Sequence, residues 1–223
     1  MLGGRRKLPV LAEISGPGAG DARAWSLRRA DLEALARLQA GVEGHRTVLV
    51  VGDEGLAGAI ALAGAAGAAG RRTALLECDL ARPRLAVELG LSPGPGLHEY
   101  LRWEASAAEI LQPLVLAGPA AGDAGDPLIC VVSGRPAADP VTLVNLESFR
   151  HALAKLRAAY DLTVLVGPPL EIQGTPEAVA ARVDMVLGAV SPKGLSGQAG
   201  RLLRARLRRL PAETLGAIAV DPD

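Results

Sequence analysis

Aromatic side chains are scarce in this sequence. Phe, Trp and Tyr together make up 2% of its 223 residues, whereas hydrophobic residues as a class make up 49%. A chain of this length can bury a sizeable core, but that core has to be built mainly from Ala, Val and Leu. Length and composition together predict one compact soluble domain, near the upper size range for a single domain.

Cysteine is rare as well, and charge of either sign is not in excess. Cys78 and Cys130 are too few for a disulfide framework, and we expect Cys78 to be a small buried residue rather than a nucleophile. The 24 Lys and Arg residues balance 24 Asp and Glu residues. Because no positive excess exists, no global electrostatic argument supports nucleic acid as a partner, and we expect none.

No long hydrophobic run is present either. The longest uncharged stretch, residues 55–70, is mostly Ala and Gly, which is too short and too weakly hydrophobic to cross a bilayer. No secretory signal is visible. These absences predict a cytoplasmic protein.

What the sequence does contain is an alternation of aliphatic runs with helical patterns. Strands are predicted at residues 47–51, 73–77, 128–132, 162–166, 185–190 and 214–220, and helices at about 57–69, 105–111, 141–159, 176–181 and 195–210. A further helix is predicted from residue 27 or 30 to residue 40, preceded by a short apolar segment at residues 8–14. We expect residues 1–44 to lead into an α/β domain formed by residues 45–223.

Aliphatic strands that alternate with helices indicate a doubly wound α/β fold, in which helices cover both faces of a mostly parallel sheet. Ligands of such folds bind at the carboxyl ends of the strands. The residues that follow each predicted strand are therefore the ones in which to look for a functional site.

Residues 47–70 have the layout of a phosphate-binding loop, with a strand, a glycine-bearing turn and an Ala/Gly helix. The candidate loop consists of Gly52, Asp53, Glu54, Gly55, Leu56 and Ala57. A working loop of this kind needs a Lys for the phosphates and a Ser or Thr for Mg²⁺, but neither occurs between Val48 and Arg72. Taken alone, the segment also fits an ordinary strand-to-helix turn. With the downstream motifs, it predicts a nucleotide-binding scaffold that has lost its chemistry.

Three downstream stretches carry a more specific pattern. They are Glu77-Cys78-Asp79-Leu80 with Arg82-Pro83-Arg84, then Gly96-Leu97-His98-Glu99-Tyr100-Leu101, and finally Tyr160-Asp161 with Pro168-Pro169 after the next strand. In order and spacing they resemble the bacterial tyrosine kinases of capsule and exopolysaccharide synthesis, which are relatives of the MinD/ParA-like ATPases. The resemblance covers most of the chain, residues 8–220, and implies a P-loop NTPase-like α/β fold.

The resemblance also implies where the kinase site would lie and what it has lost. Leu56 takes the place of the phosphate-binding Lys and Ala57 that of the Mg²⁺-binding hydroxyl. Val166 replaces the acidic residue that holds Mg²⁺ through water. Vestigial catalytic carboxylates persist as Glu77 and Asp79, with Arg82 as a neighbouring cation; an alternative is that Asp79 and Arg82 form a structural ion pair.

Charge and ligand spacing support the same interpretation. Asp53, Glu54, Glu77 and Asp79 would all face the polyphosphate of a nucleotide with no lysine among them. The three histidines have no metal-ligand spacing with the cysteines. We therefore expect no metal and no cofactor.

These losses predict a non-catalytic, tyrosine-kinase-like regulatory or scaffolding protein in polysaccharide assembly or export. Two alternatives stay open. One is an active ATP-dependent tyrosine kinase or ATPase of the same family, which would need ATP and Mg²⁺, and the other is a MinD/ParA-like positioning protein. The Arg-Pro-Arg and Gly-Leu-x-x-Tyr-Leu stretches favour the kinase family over the positioning proteins.

The resembled kinases work with a membrane polysaccharide co-polymerase. The resemblance therefore implies that this chain is a free-standing cytosolic half that binds such a membrane protein, or an intact kinase paralogue, at the inner face of the membrane. In the helix over residues 195–210, Arg201, Arg204 and Arg208 share one face. That face is typical of a solvated surface, with peripheral membrane association or an acidic partner as the alternative.

Two further departures concern phosphorylation and assembly. The chain ends without the tyrosine cluster of the kinases, so autophosphorylation by their route is not expected. Glu33 is followed by Ala36 and Gln39 where the kinases have the arginines of their ring-forming helix. Ring assembly of the usual type is therefore not expected, and the oligomeric state stays open.

Overall fold

The computed structural model describes residues 8–15, 29–115 and 127–221, without the side chains of residues 29, 30 and 32. Eight strands are found in this part of the chain: β1 (Val10–Ser15), β2 (Thr47–Val51), β3 (Thr73–Glu77), β4 (Gln112–Leu114), β5 (Leu128–Val131), β6 (Leu162–Val166), β7 (Met185–Val190) and β8 (Glu213–Asp221). They form one sheet in the order β1-β8-β7-β2-β6-β3-β5-β4. Neighbouring strands are parallel, except that β4 is antiparallel to β5.

The helices of the described residues lie on both faces of this sheet. They are α1 (Arg29–Gly41), α2 (Gly55–Ala68), α3 (Leu85–Leu89), α4 (Leu97–Leu101), α5 (Ala107–Ile110), α6 (Pro140–Asn145), α7 (Glu147–Ala159), α8 (Thr175–Ala180) and α9 (Gly197–Leu207), and a 3-10 turn, Pro192–Leu195, precedes α9. The predicted doubly wound, mostly parallel α/β fold is confirmed.

Strand periodicity explains why the core has two layers. Successive side chains of a strand point to opposite faces, and in β2 Val48 and Val50 pack with α1, α2 and α3 while Leu49 and Val51 pack with α4 and α6 to α9. All four are fully buried. Both faces of β2 are therefore buried, as expected for a central strand of a parallel sheet.

Helix α2 shows how a core poor in aromatic residues reaches close packing. Every residue from 55 to 66 is buried. A Cβ at Gly58 would lie 2.7 Å from the Cβ of Ala189, so only a residue without a side chain lets the helix approach β7 this closely. The small residues of α2 thus let the helix pack close to the sheet, so that the core is filled without large side chains.

Three sequence predictions of secondary structure need correction. The single helix predicted over residues 141–159 is two helices, α6 and α7, because Leu146 between them has an extended backbone. The helix predicted over residues 195–210 is a 3-10 turn followed by α9, which ends at Leu207. The apolar segment at residues 8–14 forms a strand, β1, and α3 and β4 were not predicted.

The segment placed before the α/β domain in the sequence joins its sheet and core. Strand β1 pairs with β8, so that Ile14 lies opposite Val220. Leu35 and Leu38 of α1 are buried in the apolar layer that also contains α2. No helix among the described residues is long and apolar enough to span a membrane.

Candidate functional site

The candidate site lies where the carboxyl ends of β2, β3 and β6 meet. Strand β2 has β7 on one side and β6 on the other, and β6 in turn pairs with β3. Loops that follow these three strands carry the residues predicted from the sequence. In doubly wound folds this edge is where ligands bind.

A tight turn, residues 52–54, joins β2 to α2. Gly52 has φ +120°, and a Cβ there would lie 2.3 Å from the carbonyl oxygen of Ala189, so the position requires glycine. The N–H of Glu54 donates to that same Ala189 oxygen (3.1 Å), and the N–H of Gly55 donates to the Gly52 carbonyl (3.0 Å). These two N–H groups are bonded within the protein instead of pointing at a ligand.

The turn is also shorter than a phosphate-binding loop. That motif, G-x-x-x-x-G-K-[ST], has four residues between its two glycines, whereas only Asp53 and Glu54 separate Gly52 from Gly55. A comparison of residue types in the sequence does not show that the turn is short, but the number of residues between the two glycines does. A shorter loop has fewer N–H groups to present and less room to curve around a phosphate.

Leu56 and Ala57, which the sequence resemblance compared with the Lys and hydroxyl positions, belong to the core. Leu56 is 7% exposed, Ala57 is buried, and both pack in the apolar layer between α2 and the sheet. Asp53 is exposed and Glu54 is half-buried. The turn therefore offers solvent a carboxylate, which repels phosphate, and turns apolar side chains inward.

Glu77, at the end of β3, is a structural carboxylate. It is 1% exposed. Its Oε1 accepts hydrogen bonds from the backbone N–H groups of Arg84 (2.6 Å) and Leu85 (2.8 Å), and its Oε2 accepts one from the N–H of Ser133 (2.9 Å). Burial raises the pKa of Glu77 above its ordinary value, against the effect of these three donors. The side chain joins the start of α3 to the loop after β5.

Asp79 and Arg82 form a pair at the rim of the same edge. The Arg82 N–H donates to Asp79 Oδ1 (3.3 Å), and the Arg82 Nε lies 3.8 Å from Oδ2. Burial raises the pKa of Asp79, and the nearby Arg82 guanidinium opposes that rise. The Arg82 side chain itself is exposed. This geometry matches the structural ion pair that the sequence left open as an alternative.

Val166 and Gly167, at the end of β6, form the third part of the candidate site. Val166 is buried and lies opposite Glu77 in the β3–β6 register. The N–H of Gly167 donates to the Val50 carbonyl (2.8 Å), and a Cβ at Gly167 would lie 2.4 Å from Val51 Cγ1. The backbone after β6 thus packs directly on β2, and the side chain at the end of β6 is apolar.

A second carboxylate with several partners, Glu99, was not singled out by the sequence reasoning. Its Oε2 accepts the N–H of Gly96 (2.8 Å) and its Oε1 the N–H of Arg135 (3.2 Å). Burial raises the pKa of Glu99, but the backbone donors outweigh it and hold the pKa below its ordinary value. Glu99 therefore fixes the Gly-Leu-x-x-Tyr-Leu turn to the loop after β5. The signal in the sequence was an acidic residue three positions after the glycine that caps α4.

Within residues 8–15, 29–115 and 127–221, no group of three His, Cys, Asp or Glu side chains is placed to hold a metal ion. Cys78 is fully buried beside Glu77, and burial and the two neighbouring carboxylates raise the pKa of its thiol above the usual range. The thiol is therefore neutral and apolar in character, as predicted for a packing residue.

Comparison with known proteins finds structural likeness without sequence likeness. No family model and no curated protein matches the chain. The chimeric protein CapA2B2 superposes with a TM-score of 0.81 at 15% identity, over 97% of this chain and 96% of that one. The kinase domain of the Escherichia coli tyrosine kinase ETK gives a TM-score of 0.72 at 17% identity, over 96% of this chain and 90% of that one.

A more distant likeness includes ATPases of another kind. The cell division ATPase MinD of Pyrococcus furiosus matches with a TM-score of 0.57 at 17% identity, over 78% of this chain and 71% of that one. The chain therefore has the P-loop NTPase-like α/β fold of bacterial tyrosine-kinase domains. The fold that the sequence resemblance implied is confirmed.

Proposed function

We propose that this chain is a non-catalytic, tyrosine-kinase-like regulatory or scaffolding protein of polysaccharide biosynthesis or export. One observation carries the proposal: the turn between Gly52 and Gly55 is two residues shorter than a phosphate-binding loop, and its Glu54 and Gly55 N–H groups are bonded to protein carbonyls. A loop in this state has no cradle for the β- and γ-phosphates.

The residues present do not fit magnesium nucleotide. Phosphoryl transfer depends on Mg²⁺ and on cationic stabilisation of the phosphates, but Leu56 is an apolar core residue and Val166 has no ligand atom in its side chain. Glu77 already accepts three backbone hydrogen bonds. Three of the roughly four lone-pair sites of this carboxylate are therefore occupied, which leaves at most one for a metal.

One observation favours the alternative of an active family enzyme. Asp79 and Arg82 persist at the carboxyl end of β3, and Arg82 is exposed toward solvent. Their mutual ion pair accounts for both, however, because each finds its opposite charge in the other. We therefore place the active enzyme second.

The positioning-protein alternative has weaker structural support. Likeness to MinD covers 78% of the chain at a TM-score of 0.57, whereas likeness to the ETK kinase domain covers 96% at 0.72. The region around Gly96 and Glu99, which carries the Gly-Leu-x-x-Tyr-Leu stretch, is an ordered part of the fold. Both facts favour the kinase-like assignment.

A scaffold without nucleotide chemistry acts through the proteins that bind it. We propose a membrane polysaccharide co-polymerase or an intact kinase paralogue as the partner, and hence a location at the inner face of the membrane through that partner. Binding does not depend on nucleotide, because the turn at residues 52–54 is too short to hold the γ-phosphate that would set a switch.

Affinity purification from the native cell tests this proposal. A tagged full-length chain should recover a polysaccharide co-polymerase or a kinase paralogue in equal yield with MgATP and after removal of nucleotide. Recovery that requires MgATP would contradict the non-catalytic scaffold, and recovery of no polysaccharide-assembly protein would remove the partner assignment.

A further inference from the structure

A groove with apolar walls lies beside β1, away from the candidate site. It has a volume of about 700 Å³ and runs between the start of β1 and the 3-10 turn and helix α9. Leu8, Val10 and Leu195 supply apolar walls, and Val10 is 44% exposed. The groove is open to solvent next to an edge strand of the sheet.

Three arginines line the other wall of this groove. Arg201, Arg204 and Arg208 follow one another at helical spacing, and no acidic residue is among the described residues that line the groove. Like charges at this spacing repel each other. The wall is thus strongly positive in a chain whose total formal charge is zero.

These arginines differ from most others in having no counterion. Arg206, on the same helix, pairs with Glu171, and Arg72, Arg102 and Arg135 pair with carboxylates elsewhere. Within the described part of the chain, none of the three groove arginines has an ion-pair partner. An anionic ligand would therefore bind three guanidinium groups without breaking an ion pair within the protein.

The apolar residues of α9 decide against a membrane as that ligand. A helix that binds a lipid surface leaves its apolar face free to enter the bilayer, but Leu203 and Leu207 are buried in the core. Leu202, at 48% exposure, is the one large apolar side chain of α9 that remains on the surface. The concave shape and the apolar walls instead fit a polypeptide that carries both acidic and apolar side chains.

We infer that the groove between β1 and α9 binds an acidic segment of a partner protein, with its carboxylates on Arg201, Arg204 and Arg208 and its apolar side chains against Leu8 and Val10. The inference rests on the proposed function only for which protein supplies the segment. The groove and its charges are independent of whether the candidate site binds nucleotide.

Selection from a random-peptide display library on the immobilised full-length chain tests the inference. Enriched peptides should contain Asp or Glu interleaved with apolar residues, and their affinity, measured by fluorescence anisotropy, should fall with added salt because exposed charge pairs are screened. Enrichment of basic or uncharged peptides would overturn the inference, and so would the absence of enrichment.

Matched variants locate the binding surface. Combined R201E, R204E and R208E should weaken the selected peptides roughly tenfold to a hundredfold, because each lost ion pair becomes a repulsion. Combined R37E, K155E and R209E makes the same change in net charge outside the groove and should leave the affinity within about twofold. V10D should also weaken binding, since it places a carboxylate on the apolar wall. Equal losses in both triple variants would overturn the inference.

Two further measurements, of binding to lipid vesicles and of binding to MgATP, distinguish the remaining outcomes. Sedimentation with phosphatidylserine-containing vesicles should show no binding that depends on the three arginines; such binding without acidic-peptide binding would overturn the inference. If acidic peptides bind as expected but the chain also binds MgATP, the groove stands and the proposed function fails.

Discussion

Glu77 shows at the residue scale how a buried carboxylate at the carboxyl edge of the sheet serves the fold. In its position it accepts one hydrogen bond from each of three backbone N–H groups, which belong to two separate loops. Buried N–H groups need an acceptor, and no water reaches this side chain at 1% exposure. The carboxylate is therefore required for folding whether or not any ligand binds nearby.

Replacement of Glu77 by Gln should destabilise the protein by about 2–3 kcal/mol, because the amide NH₂ that replaces one oxygen cannot accept a hydrogen bond and opposes a buried N–H. Equilibrium unfolding in urea measures the loss. Glu43 is exposed, and E43Q should change the free energy of unfolding by less than about 0.5 kcal/mol. A loss of similar size in both variants would show that Glu77 does not hold the two loops.

Glu99 predicts a specific pH dependence. Its pKa is lower in the folded protein than its ordinary value of 4.5, so the unfolded chain binds its proton more readily. The stabilisation by Glu99 is therefore complete above pH 4.5 and is lost as the pH falls through the folded-state pKa. E99Q should be less stable than the wild type at pH 7, and the difference should shrink below pH 4.5. Unfolding curves at several pH values measure it, and a constant difference across pH would contradict the assigned role.

At the scale of secondary structure, most of the sheet was predictable. Four strands, β2, β3, β6 and β7, begin and end where the sequence predicted them. They are buried on both faces, so apart from Glu77 at the end of β3 their side chains are apolar or small, and the pattern has clear limits. Strands β1 and β4 lie at the two edges of the sheet. Edge strands have weaker and shorter patterns, which is why these two were not predicted.

The helical errors have physical reasons too. The break at Leu146 comes from its extended backbone, and no Pro or Gly at this position indicates it in the sequence. Helix α3 has only five residues, fewer than two helical turns, so no periodicity identifies it. Its start depends on the Glu77 carboxylate, a contact between separate parts of the chain.

The place of the candidate-site residues in the fold was predictable from the sequence, but their contacts were not. The sequence identified the residues around Gly52, Glu77 and Asp79, and the structure brings their loops to one edge of the sheet. Hydrogen-bond partners decide what each residue does, and these depend on tertiary contacts: Glu77 on Ser133, and Glu54 on Ala189. The length of the first turn was available in the sequence and is the most useful signal that was overlooked.

The first turn leads to a prediction about repair of the site. L56K should destabilise the protein by about 2 kcal/mol or more, because it places an ammonium group at a position only 7% exposed. It should not confer MgATP binding, since the turn stays two residues short. The matched variant L56M should cost less than about 1.5 kcal/mol. Thermal unfolding with and without MgATP measures both effects, and an L56K protein that is stable and is stabilised further by MgATP would contradict the structure of the turn.

At the scale of the whole molecule, the chain has an α/β fold like that of bacterial tyrosine-kinase domains. Two apolar layers enclose the sheet, and α2 packs against it through small residues such as Gly58. The loops at the carboxyl edge are held by protein hydrogen bonds to Glu77 and Ala189. Because internal contacts satisfy these groups, none of them needs a ligand as its hydrogen-bond partner.

Isothermal titration calorimetry with MgATP and MgADP tests the central claim most directly. The account predicts no saturable heat with either nucleotide up to about 1 mM, and no rise in the melting temperature of the same samples, because a ligand that binds the folded state alone stabilises it by RT ln(1 + [L]/Kd). Magnesium-dependent saturation with a Kd below about 100 µM, together with a rise in melting temperature, would contradict it.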